Sequence, residues 1–156
     1  MLVRTLAVAA VASAIAVLAL AASGSATSTK TLRFKDSQLA VTLDPRGAAP
    51  TIGTRLILTK ALYNRARQFG KPAGARVGSA DVICTVVSRG HAQCSVTAHV
   101  PDGEIVAMGV IRLTDGLSSS RFAIVGGAGA YASSSGTIDT RDVSETHSLV
   151  TLNIRG

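Results

Sequence analysis

Beyond about residue 30 the chain sustains no helical period. Short runs rich in Val, Ile and Thr follow one another instead, each closed by turn-forming residues. The runs fall at Thr31–Leu43, Thr54–Asn64, Arg76–Ser88, His91–Val100, Glu104–Leu113, Arg121–Val125, Thr137–Arg141 and His147–Ile154. Between them stand Asp44-Pro45-Arg46-Gly47, Gly70-Lys71-Pro72-Ala73-Gly74, Arg89-Gly90, Pro101-Asp102-Gly103, Asp115-Gly116 and Gly126-Gly127-Ala128-Gly129. Eight short strands on hairpin-length links predict an all-β antiparallel barrel or sandwich, and closure into a barrel removes the exposed edges. The glycine run reads as a tight turn with the next strand opening at Tyr131. It is not read as a dinucleotide loop, because no helix follows to hold a pyrophosphate.

The first 26 residues stand outside this pattern. Arg4 precedes an apolar stretch, Leu6 to Ala22, broken only by Ser13, and Gly24-Ser25-Ala26 has the small-x-small form of a secretory cleavage site. The expectation is a cleaved signal peptide over 1–26, a secreted protein with no stable membrane anchor, and a single domain over 27–156. No cysteine lies near the cleavage region to accept a lipid. A mature chain of this length can bury one core.

Cys84 and Cys94 are the only cysteines. If Ser88-Arg89-Gly90 form a hairpin loop, Val87 faces His91, and counting back sets Cys84 opposite Cys94, close enough to bridge in an oxidising compartment. The alternative is two buried free thiols. Two thiolates without a well-spaced histidine leave a zinc site incomplete, so neither metal nor cofactor is expected.

The same register pairs Asp81 with Thr97 and Ser79 with His99, so Asp81 and His99 lie diagonally on one face. In a pocket they would form an oriented general base. Their face also carries Thr85, Gln93 and Ser95, the composition of a solvent-facing surface, whereas Val82, Cys84, Val86, Val96 and Ala98 read as interior. Tyr63 and Tyr131 stand near predicted strand ends, where they either donate into a barrel mouth or cap the core. Several strands are apolar on both faces, with Ile105, Ala107 and Ile111 against Val106, Met108 and Val110 as the clearest case. A barrel built from them has a lined or filled lumen and an outer face that a second copy could cover, which predicts a homo-oligomer.

Sixteen Lys+Arg against nine Asp+Glu give a net charge of +7. Arg55, Lys60, Arg65, Arg67, Lys71 and Arg76 follow one another without an intervening acid, and read as a solvated basic loop. Aromatics make up 3% with no Trp, which argues against stacking on sugars or single-stranded nucleic acid; no nucleic-acid partner is expected.

Phe122-Ala123-Ile124-Val125-Gly126-Gly127-Ala128-Gly129-Ala130-Tyr131 through Gly136 resembles the strand–turn–strand signature of the allene oxide cyclase/dirigent barrel superfamily, in its small secreted bacterial form. Ile52-Gly53-Thr54 with Leu62-Tyr63 is similar to that family's second strand, and Val77-Gly78 with Cys84-Thr85 to its third. Ala92-Gln93-Cys94 and Val100-Pro101-Asp102-Gly103 match the fourth strand and its turn. The resemblance implies a closed or nearly closed eight-stranded antiparallel barrel that binds a small hydrophobic or phenolic molecule in its lumen. It equally implies a cyclase, isomerase or stereo-directing enzyme that works by holding a reactive intermediate in one shape. Two departures matter. Ser134-Ser135 stands where the family often has Ala-Arg, and the only glutamates, Glu104 and Glu145, come late, so plant-type allene oxide cyclisation does not carry over. A third expectation, from charge alone, is a basic envelope-associated structural protein that uses Arg55–Arg76.

Overall fold

The computed structural model describes residues 28–44, 50–113 and 118–156. The expected leader over 1–26, the Pro45-Arg46-Gly47 turn and the Asp115-Gly116 turn lie outside them. Eight strands make up the fold: β1 (Thr29–Asp44), β2 (Arg55–Asn64), β3 (Arg76–Ser88), β4 (His91–Val100), β5 (Gly103–Arg112), β6 (Ser119–Gly129), β7 (Ser135–Ser144) and β8 (His147–Arg155). Each pairs antiparallel with the next, and β1 pairs with β8, so the sheet closes in sequence order into an up-and-down barrel. Side chains alternate across the wall with the period of two that the pleat imposes. In β8, Ser148, Val150, Leu152 and Ile154 are buried inside while Leu149, Thr151 and Asn153 face out. In β4, Ala92, Cys94, Val96, Ala98 and Val100 take the inner positions.

Two turns differ from the sequence reading. The β3–β4 turn holds two residues, with Ser88 opposite His91; an irregularity between Val86 and Ser88 then restores the register, so Cys84 still faces Cys94. The glycine run is the end of β6 and not a turn: Gly126, Gly127 and Gly129 pair with Val106, Ile105 and Gly103. The cause is steric. A Cβ at Gly127 would run into the Glu104 carbonyl oxygen of β5, so only glycine lets the two backbones approach. The chain reverses after Gly129, and Tyr131 sits in that reversal instead of opening β7.

One end of the barrel is sealed. Leu32, Phe34, Ile105, Ala107, Leu152 and Ile154 pack there, each at most 3% exposed. The connection from β2 to β3 folds over this end because Gln68 pairs with β1 like a strand residue. Its side chain accepts from Arg33 N (2.8 Å) and donates to Arg33 O (2.9 Å). That brings Phe69 onto Phe34, ring centroids 6.4 Å apart and nearly parallel. Lys30 completes the seal. Its Nζ lies 5.5 Å from the Phe69 centroid and 5.3 Å from that of Tyr131, and donates to Tyr131 Oη and Asp102 Oδ2, each at 3.2 Å. Burial, the largest single influence on Lys30, pushes its pKa down. The hydrogen bonds and charges of Tyr131 and Asp102 together outweigh it, so the ammonium holds its proton more firmly than an ordinary lysine.

The outer wall keeps Ile83, Met108, Val110 and Val125 exposed, the second apolar face that the sequence foresaw.

Candidate functional site

Above the sealed base the inner side chains stop short of the barrel axis and leave a cavity of about 520 Å³. That is the size range of small-molecule sites. Its wall is mostly apolar: Leu56, Leu58 and Leu62 from β2, Val82 from β3, Val96 from β4, Phe122 from β6, Ile138 from β7 and Val150 from β8. The Cys84–Cys94 disulfide, with Cα atoms 4.0 Å apart, forms another part of the wall. Gln38, Ser144, Glu145 and Thr146 line its polar rim.

One inner surface breaks the apolar pattern. Lys60 Nζ donates to Asp36 Oδ2 at 2.8 Å and to Ser148 Oγ at 3.4 Å. The Ser148 N–H donates to Asp36 Oδ1 at 2.7 Å, and Ser148 Oγ donates to Asp142 Oδ1 at 2.8 Å. Ser118 completes the shell of Asp142 through its N–H (3.2 Å) and hydroxyl (2.9 Å), both to Oδ2. The register brings these residues together. Asp36 of β1 is opposite Ser148 of β8, which is opposite Asp142 of β7, while Lys60 enters from β2 opposite Gln38. Every buried side-chain polar atom among the described residues has a partner.

This row is a preorganised polar strip on an apolar wall. The Lys60 ammonium has three donors and commits two, leaving one N–H for an oxygen on a molecule in the cavity. Asp142 is held by neutral donors, with no cation paired to it among the described residues. A hydrogen-bonded chain therefore runs from Lys60 through Ser148 to Asp142.

The residues singled out from sequence lie elsewhere. Asp81 and His99 do meet, His99 Nε2 to Asp81 Oδ2 at 3.2 Å, with Glu104 Oε1 at 3.1 Å from His99 Nδ1. The cluster stands on the outer wall across β3, β4 and β5, about half exposed, and none of its members lines the cavity. Tyr63 also points outward, into a shallow depression beside Lys35 and His147. Tyr131 is 2% exposed and belongs to the sealed base, not to the cavity wall. Lys60, read as part of a solvated basic run, instead points into the lumen, because β2 alternation puts it in phase with Leu58 and Leu62. Asp36, Asp142 and Ser148 escaped the sequence reading altogether. A signal exists for Asp36 and Lys60: each takes the inward phase of its strand directly beside apolar inward residues, as in Leu32-x-Phe34-x-Asp36 and Leu58-x-Lys60-x-Leu62.

The family described as "Allene oxide cyclase barrel like domain" matches residues 15–155. Among solved structures, a pyocyanin demethylase is 24% identical with a TM-score of 0.64, over 80% of this chain and 99% of that one. A nonspecific heme-binding cyclase of neoabyssomicin biosynthesis is 17% identical with a TM-score of 0.67, over 83% of this chain and 68% of its own. A pterocarpan synthase dirigent protein is 18% identical with a TM-score of 0.57, over 83% and 89%. No curated protein matches the chain. These likenesses are likenesses of fold.

Proposed function

Because the chain belongs to the allene oxide cyclase-like barrel family, we propose that its lumen is the working part, a receptacle for one small apolar or phenolic molecule. The observation that carries this reading is the 520 Å³ cavity whose apolar wall is interrupted by a single strip around Lys60. An apolar body fits against Leu58, Val82, Val96 and Ile138, and an oxygen on it accepts the remaining Lys60 N–H. The leader expected over 1–26 and the Cys84–Cys94 disulfide support action outside the cell. The exposed row of Ile83 and Met108 supports a homo-oligomer.

A second reading, a cyclase or isomerase, is favoured by the Lys60–Ser148–Asp142 chain. A proton donor and a carboxylate on one wall could polarise a substrate that the apolar surface holds in a reactive shape. The solved cyclase of similar fold lends this reading support.

The test is a fluorescence titration with the neutral apolar probe N-phenyl-1-naphthylamine on wild type and Val96→Trp. Wild type binds saturably and is displaced by apolar phenols. Val96→Trp, which places a large ring in mid-lumen, weakens binding by about tenfold or more while circular dichroism stays unchanged. Equal binding by the two proteins would place the probe outside the lumen and defeat the proposal.

A further inference from the structure

The outer wall opposite the His99 cluster carries a different chemistry. Across β6, β7, β8 and β1, one outward row reads Arg121, Asp139, Thr151, Arg33, and the next reads Ser119, Arg141, Leu149, Lys35. Arg65, whose backbone N–H donates to the Arg33 carbonyl at 3.0 Å, adds a guanidinium from the β2–β3 connection. Arg65, Arg121 and Arg141 border a groove of about 610 Å³. Adjacent strands lie about 4.8 Å apart and successive outward residues about 7 Å apart, so these cations crowd one surface roughly 15 Å wide.

Asp139 lines this groove, and the acids named next lie off it. Asp36 and Asp142 are spent inside the lumen, Glu145 stands at its rim, and Asp81 and Glu104 flank His99. Asp139 is the one carboxylate on the two rows, and Arg121 holds it. Such a concentration of like charge opposes the compact state unless an anion shares the surface. The groove offers guanidinium groups, which bind phosphate oxygens in pairs, and only one large apolar side chain, the partly buried Leu149. A concave, multivalent and weakly apolar groove fits an extended chain better than a flat lipid surface.

We propose that this wall binds a linear phosphate-bearing polyanion. The site differs from the basic run Arg55–Arg76 that the sequence brings forward: it takes only Arg65 from that run and assembles the rest from strands remote in sequence.

Calorimetric titration with long-chain inorganic polyphosphate tests it, at ionic strengths from about 50 to 200 mM where counterion release dominates. Wild type is expected to bind, with affinity falling steeply as salt rises. Arg65→Gln/Arg121→Gln/Arg141→Gln should weaken binding by about tenfold or more and flatten the salt slope by roughly two to three. The control Arg55→Gln/Arg76→Gln/Arg112→Gln removes equal charge from other exposed positions and should stay within about twofold of wild type. Equal weakening of the two triple variants would reduce the effect to net charge and overturn the proposal. So would absence of polyphosphate binding, with or without binding to phosphatidylglycerol vesicles. Melting temperatures of both variants close to wild type confirm that the comparison reads binding and not unfolding.

Discussion

Replacing Lys60 with Met is expected to destabilise the barrel by about 3 kcal/mol, the lower end of the range for breaking a buried ion pair. Asp36 has 4% of its side chain exposed, and Lys60 is its one cationic partner among the described residues. Methionine keeps the volume and removes the charge, which leaves a buried carboxylate with only the Ser148 N–H to hold it among the described residues. The lower end applies because Lys60 itself, 19% exposed, reaches the partly hydrated cavity. The double variant Asp36→Leu/Lys60→Met should recover most of that loss, since an apolar pair of similar size restores a uniform wall. Urea unfolding reads both, as a shift of midpoint at unchanged slope. If the single and double variants unfold together, the pair carries no buried charge and the strip is a solvated surface.

Removing the disulfide is expected to cost a comparable amount. Cys84 and Cys94 are ten residues apart, and closing so short a loop is worth about 2–3 kcal/mol through the unfolded chain. Cys84→Val/Cys94→Ala roughly conserves volume in the wall, so the loss it produces reports the cross-link and not a new void. The melting temperature should fall by roughly 10 °C. A double variant that melts with wild type would show that the hairpin register needs no staple.

The strands were legible because most of them alternate, and alternation is the direct imprint of a wall with two sides. His91-Ala92-Gln93-Cys94-Ser95-Val96 is a clear instance, and it carried the pairing of Cys84 with Cys94 even though the turn before it was misjudged by one residue. A bulge absorbed that error, and bulges leave little trace in sequence. The glycine run was misread for a related reason: glycine serves a tight turn and a close backbone approach equally well, and only the position of the β5 carbonyls separates the two. The lumen strip was hidden by composition. Lys60 belongs to a run of six basic residues without an intervening acid, which reads as surface; the phase of β2 puts it inside. Its partners come from β1, β7 and β8, and no local pattern joins residues 36, 60, 142 and 148. Asp81 and His99 present the opposite case. Their contact followed from register, and their place on the outer wall follows from the polar company they keep.

Native mass spectrometry of the protein, purified from the organism that makes it, is the most direct test of a ligand-holding lumen. One discrete small-molecule mass per barrel is expected on the wild-type protein and none on Val96→Trp. A wild-type barrel that runs at its bare mass, and stays there after incubation with apolar phenols, would contradict that expectation.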